Sequence, residues 1–141
     1  MIVNTMIKIR TGLLVMLTIA MTLITACEKT EIVPEEGQRD KYLGVWKASS
    51  SGPGGDVNFN MVITASNSDP DQILMENFDA MGSGTYVAGY VNGNSISIPR
   101  NLVHSDTIQG SGAYNSNNTL SFTYEVRDGQ TVENRTASAR R

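Results

Sequence analysis

From Lys41 onward the chain is a succession of short runs in which apolar and polar residues alternate, broken by Gly, Asn, Asp and Pro. Val57, Phe59, Met61 and Ile63 fall on one side of their run, with Asn58, Asn60 and Thr64 on the other. Leu120, Phe122, Tyr124 and Val126 alternate in the same way with Ser121, Thr123 and Glu125. A period of two, with one dry and one wet face, marks strands of a sheet closed over a core. Eight strands are predicted, at 43–50, 56–65, 72–79, 85–91, 95–98, 107–114, 119–127 and 130–139. No window carries a helical period. Asn92-Gly93 and Asp128-Gly129 separate alternating runs, and such dipeptides tolerate the positive φ of a tight hairpin. Every connection is too short for a helical crossover, so neighbouring strands are expected to run antiparallel.

Two stretches echo each other. Gly82-Ser83-Gly84-Thr85-Tyr86 returns as Gly110-Ser111-Gly112-Ala113-Tyr114, and each is followed by a turn and a similar run, from Asn94 and from Asn118. Hairpins repeated about an axis describe an all-β fold: a small eight-stranded antiparallel up-and-down barrel over 41–141. A β-sandwich is the alternative, and pairing of the last strand with the first decides between them.

The first 40 residues have another texture. Lys8 and Arg10 precede an uncharged apolar run from Leu13 to Ile24, the layout of a secretory signal. A spanning helix needs about 20 apolar residues, and this run stops short of that. At its end Ile24-Thr25-Ala26-Cys27 resembles the bacterial lipobox. That resemblance implies cleavage between Ala26 and Cys27, lipid on the Cys27 thiol, and membrane anchoring through that lipid. Residues 1–26 are therefore expected to be a lipoprotein signal peptide, and 27–40 the lipidated cysteine with a flexible acidic tether. Residues 28–40 lack hydrophobic periodicity and contain Pro34 and Gly37, and 13 extended residues reach roughly 40 Å. Glu28 is not the aspartate that marks inner-membrane retention in enteric bacteria, so the outer membrane is the expected location, on its periplasmic side or at the cell surface.

Cys27 is the single cysteine, which excludes a disulfide framework and a cysteine-based metal site. Residues 27–141 carry nine basic and fourteen acidic side chains, a net charge of −5, with no basic patch for nucleic acid.

Lys41-Tyr42-Leu43-Gly44-Val45-Trp46-Lys47 resembles the opening of the lipocalin and other calycin barrels. The resemblance implies that Gly44 and Trp46 close the barrel floor and that an arginine of the last strand packs across the indole. Arg135, which shares a face with Ala137 and Ala139, is the first candidate and Arg140 the second. With the lipobox, the acidic tether and the Gly-Ser-Gly-x-Tyr strand, the chain resembles small lipocalin-like lipoproteins of Bacteroidota. The segment is shorter than a typical lipocalin, which tells against a large cavity.

Little else in the chain suggests chemistry. His104 beside Ser105 and Asp106 is not a triad, because a triad is assembled by geometry and not by adjacency. Asp69 and Asp71 fall short of the six or more oxygens that calcium takes, and read as an acidic turn. Gly82-Ser83-Gly84 precedes a strand and so lacks the helix end that holds phosphate. Glu76, Asp79 and Glu125 are acids on strand faces that nothing in sequence brings together. Met61, Met75 and Met81 read as core filling first and a soft pocket second. Asp106-Thr107-Ile108 resembles a Bacteroidota O-glycosylation signal at Thr107.

The expected function is a non-enzymatic binding module for a small apolar ligand, without cofactor or metal. Phe59, Met61, Met75, Ile96, Ile98, Phe122 and Tyr124, with Trp46, would line its interior. Interiors of this strand number are just wide enough to be filled by side chains or to hold one small ligand. A protein-interaction or protease-inhibitor barrel with a solid core is the alternative.

Overall fold

The computed structural model describes residues 37–141. The expected signal peptide, with Ala26 and Cys27, and most of the expected tether lie outside the described residues. The eight strands are β1 (Gly44–Ser51), β2 (Val57–Ala65), β3 (Gln72–Glu76), β4 (Tyr86–Asn92), β5 (Ser95–Val103), β6 (Asp106–Tyr114), β7 (Thr119–Asp128) and β8 (Thr131–Arg140). Each pairs antiparallel with its neighbour in sequence, and β8 returns to β1 with Ala48 opposite Ala139 and Ser50 opposite Ala137. The sheet is a closed barrel and not a sandwich.

Closure follows from how large and small side chains are paired across the inner wall. Phe122 lies between Gly112 of β6 and Ala137 of β8, and Phe59 opposite Ala48 of β1. A Cβ on Gly112 would sit 2.5 Å from Cδ1 of Phe122, and one on Gly110 2.6 Å from Cα of Tyr124. These two glycines let the β7 rings fold inward against β6. The interior is one continuous apolar cluster, whereas outward positions such as Lys47, Ser49, Asn58, Asn60, Thr123 and Ser138 are polar and exposed. A membrane-spanning barrel has the opposite arrangement.

The two ends differ. At the floor, the chain enters through Gly37–Leu43, which lies across the barrel bottom. Arg39 donates to the carbonyls of Ser66 and Asp69 at 2.8 Å, Gln38 accepts from the Gly93 N–H, and Tyr42 donates its hydroxyl to Gly93 O. Residues 37–40, expected in the tether, therefore belong to the barrel. The turns β2–β3, β4–β5 and β6–β7 share this end; the other four connections form the upper end.

Three further details differ from the sequence reading. The turns after Asn92 and Asp128 begin one residue later, with Gly93 and Gly129 taking φ of 58° and 54°. β5 runs on to Val103 across an irregularity at Pro99–Arg100, where Asn101 accepts from Ala88 N and donates to Ala88 O, standing in for a strand partner. The echo is only partial: Gly110-Ser111-Gly112 lies inside β6, but Gly82 and Gly84, at φ of 105° and 79°, lie in the loop before β4.

Candidate functional site

The expected floor closes with a different arginine. Trp46 is fully buried and donates Nε1–H to Tyr42 O at 2.7 Å, with Tyr114 edge-on to it. The cation over the indole is Arg141, 4.4 Å from the ring centroid, and neither Arg135 nor Arg140. Closure register explains this. Lys47 pairs with Arg140, so the residue across from Trp46 is the next one along, and Arg140 points outward. Arg135 is indeed inward-facing, but it lies at the upper end. Arg141 also donates to the carbonyls of Lys41 and Leu43, tying the last residue to the floor. Burial, then the neighbouring Tyr114, pushes the Tyr42 hydroxyl up to about 12.

Sequence reasoning missed the site at the upper end. β3 was expected to run through Asp79, but it ends at Glu76. Asn77, Asp79 and Ala80 then take left-handed φ of 57°, 53° and 60°. The resulting 3₁₀ turn, Phe78–Ala80, drops two side chains into the barrel. Phe78 is 1% exposed and meets Tyr124, Phe122 and Phe59 edge-on at centroid distances of 4.8, 5.3 and 6.5 Å. Asp79 reaches Arg135, with Oδ2 3.1 Å from Nε and side-chain exposures of only 8% and 6%. Oδ1 of Asp79 accepts hydroxyl hydrogens from Ser50 at 2.5 Å and Tyr124 at 2.7 Å.

A signal for this was present in the alternation. Ile73 and Met75 face inward, so a continued strand would place polar Asn77 inside and apolar Phe78 outside. That parity break is where the strand stops.

Arg135 has further partners. Its Nη2 donates to Ser50 Oγ and Gly55 O, and its Nη1 to Glu133. The Nε–H, though close to Asp79, is not aligned on its oxygen and has no hydrogen-bonded acceptor. The β1–β2 loop covers the guanidinium, and a Cβ on Gly52 would come within 2.7 Å of Arg135 Cγ. Burial by itself would lower the Arg135 pKa, but the Tyr124 hydroxyl and then the Asp79 charge outweigh it and raise it. Burial, then the hydrogen bond to Asp79, pushes Tyr124 above its ordinary value.

The other residues singled out in sequence lie as follows. Phe59, Met61, Met75, Ile96, Ile98, Phe122 and Tyr124 are all buried in the one cluster, packed with Phe78 among them, and Met81 is half-buried against it. They are a filled core in this conformation, not the wall of an open cavity. The three acids are separated: Glu76 accepts from Gly84 N, Asp79 is inside, and Glu125 is on the outer wall with Gln109 and Arg127. Asp69 accepts from the Asp71 N–H, as a simple turn does. His104 sits in the β5–β6 turn at φ 54°, within 3.2 Å of Thr85 Oγ1. Thr107 lies in β6 and is 9% exposed. Among the described residues no group of three His, Cys, Asp or Glu could hold a metal ion. No helix among them is long and apolar enough to cross a membrane. A groove of about 650 Å³ runs along the outer wall between polar residues including Lys47, Asn58, Asn60 and Ser138.

No known protein family matches this sequence, nor does any curated protein. Its similarity is in architecture. A redesigned β-barrel superposes with a TM-score of 0.53 at 12% identity, covering 74% of this chain and 95% of that one. The protein EF1p2_mFAP2b, in a structure bound to DFHBI, matches with the same TM-score and identity, covering 74% of this chain and 97% of its own. At that identity the likeness is one of fold: a small closed β-barrel.

Proposed function

We propose that this chain is a lipid-anchored, lipocalin-like lipoprotein of the cell envelope, whose barrel is a non-enzymatic binding module for a small apolar ligand. The observation that carries the reading is the upper end. An apolar barrel interior is occupied there by one aromatic ring, Phe78, supplied by a connecting loop and not by the wall. Withdrawing that loop would expose Phe59, Phe122 and Tyr124 to a ligand of similar size. The barrel bound to DFHBI is a precedent for a fold of this shape taking a small molecule. Anchoring rests on Ile24-Thr25-Ala26-Cys27 behind an apolar run, and the outer membrane on Glu28.

The test is native mass spectrometry of the full chain extracted gently from its own envelope. A reproducible added mass of a few hundred daltons, lost on denaturation, supports a ligand carrier; a bare monomer counts against it. Incorporation of labelled palmitate that disappears in Cys27→Ser supports the anchor, and unchanged or absent labelling overturns it.

A second reading has an observation of its own. Because every expected lining residue is packed, the barrel can equally act as a solid scaffold that presents its polar outer wall to a protein partner. Bare monomers that retain an envelope protein on affinity capture would favour that reading.

A further inference from the structure

We propose that the outer wall of the barrel carries a separate binding site, for an acidic saccharide, in the groove where β8, β1 and β2 adjoin. It faces away from the interior and stands whether or not the interior takes a ligand.

Six outward side chains of these three strands form two rows across the groove. Lys47 pairs in register with Arg140 on one side and Asn60 on the other, and Ser49 likewise with Ser138 and Asn58. All six are exposed, and all line the groove of about 650 Å³. The rows lie two residues apart along each strand, about 6.7 Å, and neighbours within a row about 4.8 Å apart. That grid has the scale of a sugar ring and its hydroxyls.

The first row concentrates positive charge. Like charges directly opposite each other on paired strands are destabilising, and Lys47 and Arg140 stand so. The ion pairs among the described residues use Arg127 and Arg135, and neither Lys47 nor Arg140 is in one. Elsewhere on the wall outward polar side chains satisfy one another: Gln109 with Glu125, Glu125 with Arg127, and Gln72 with Tyr90. Among the described residues the six groove side chains have no such partners. Lys47 and Arg140 supply donors for an anionic group. The hydroxyls and amides of Ser49, Ser138, Asn58 and Asn60 both donate and accept, as sugar hydroxyls require.

The same features tell against other occupants. None of the six is apolar or aromatic, whereas protein interfaces are anchored by buried aromatic and aliphatic side chains. The closed barrel leaves no free strand edge for an added peptide strand. Two cations are too few to follow a nucleic-acid backbone. A bare anion would use the first row and leave the second idle.

Full-length chain in a polyoxyethylene detergent would be titrated against end-labelled hexagalacturonate, followed by fluorescence anisotropy. End-labelled maltohexaose is the uncharged counterpart, and tripolyphosphate a competing anion without sugar hydroxyls. The native chain should bind hexagalacturonate more tightly than maltohexaose, and the preference should shrink as salt is raised. Lys47→Gln/Arg140→Gln should weaken hexagalacturonate binding about tenfold, the sum expected of two exposed charge contacts. Asn58→Ala/Asn60→Ala should weaken it too, while leaving the inhibition constant of tripolyphosphate unchanged. All four positions face solvent, so the variants should keep the fold, which the near-ultraviolet circular dichroism of Trp46 checks. Should a pair fail that check, Lys47→Gln or Asn60→Ala alone replaces it. Hexagalacturonate binding that survives loss of the cations, or equal binding of maltohexaose, overturns the site. Binding indifferent to Asn58→Ala/Asn60→Ala leaves an anion patch only and overturns the saccharide. No binding of hexagalacturonate to the native chain overturns the proposal outright.

Discussion

The pair Asp79–Arg135 should behave as a unit whose halves cannot be removed separately. Both side chains are more than 90% shielded, so solvent screens them little. In Asp79→Ala the buried guanidinium keeps only the more exposed Glu133 as counter-ion, and the hydroxyls of Ser50 and Tyr124 lose the acceptor they share. Breaking a buried pair in this way costs about 3–5 kcal/mol. Arg135→Met leaves Asp79 charged but still holding two hydroxyl donors, so its cost belongs at the low end, about 3 kcal/mol. The double variant buries no charge, and it should lose less than the two single costs added, with a coupling of about 2–3 kcal/mol. A domain of this size has only about 5–15 kcal/mol of stability, so each single variant is a severe test of folding. Urea unfolding followed by Trp46 fluorescence is the assay, because the sole tryptophan sits at the floor and reports global melting, not local melting at the upper end. Additivity of the single effects within about 0.5 kcal/mol would refute the reasoning. So would a double variant less stable than the sum.

Phe78→Ala should cost about 3–5 kcal/mol as a deleted core aromatic, measured in the same urea assay. A loss under about 1 kcal/mol would mean that the ring does not occupy the barrel. Gly110→Ala should be harsher than Gly112→Ala: the first drives a methyl into the β7 backbone at Thr123 and Tyr124, the second mainly into the Phe122 ring. Overpacking of this kind costs about 1–3 kcal/mol or more, and a reversed order of melting temperatures would contradict the close β6–β7 approach. Alkali should also destabilise the fold. Tyr42 and Tyr124 are held neutral above their ordinary value of 10.0, so the contribution is intact below pH 10 and lost as pH rises further. Between pH 10 and about 12 the unfolded chain gives up both protons first. Stability should then fall by about 1.4 kcal/mol per pH unit for each tyrosine, and a urea midpoint that stays flat over this window would contradict their burial.

Much of the wall was legible in the sequence. Strands β2 and β7 announced themselves through alternation, and the inward face of each was assigned correctly, down to Phe59 and Tyr124. Arg135 was placed inside for a sound reason, its shared face with Ala137 and Ala139. Its partner was not legible. Period-two alternation fixes which face a side chain occupies, but a slip of two residues preserves every face while moving each side chain about 6.6 Å along the strand. The same reasoning explains why Trp46 met Arg141. The floor arginine depends on the closing register of β8 on β1, a contact between the first and last strands that no local window contains.

The upper end was hidden for a different reason. Asn77-Phe78-Asp79 reads as a plausible strand ending unless the parity of Ile73 and Met75 is carried forward. Even then, that parity says only that β3 stops, not that the next residues turn inward. Sequence by itself determined the number and order of the strands, the inward faces of β2 and β7, the hairpin glycines and the antiparallel meander, because these follow from local sterics and from the separation of apolar and polar positions. Only the tertiary structure decided that a loop ring fills the barrel and that Asp79 answers Arg135. The space left by the wall, and the buried charge waiting in it, exist only once eight strands have closed.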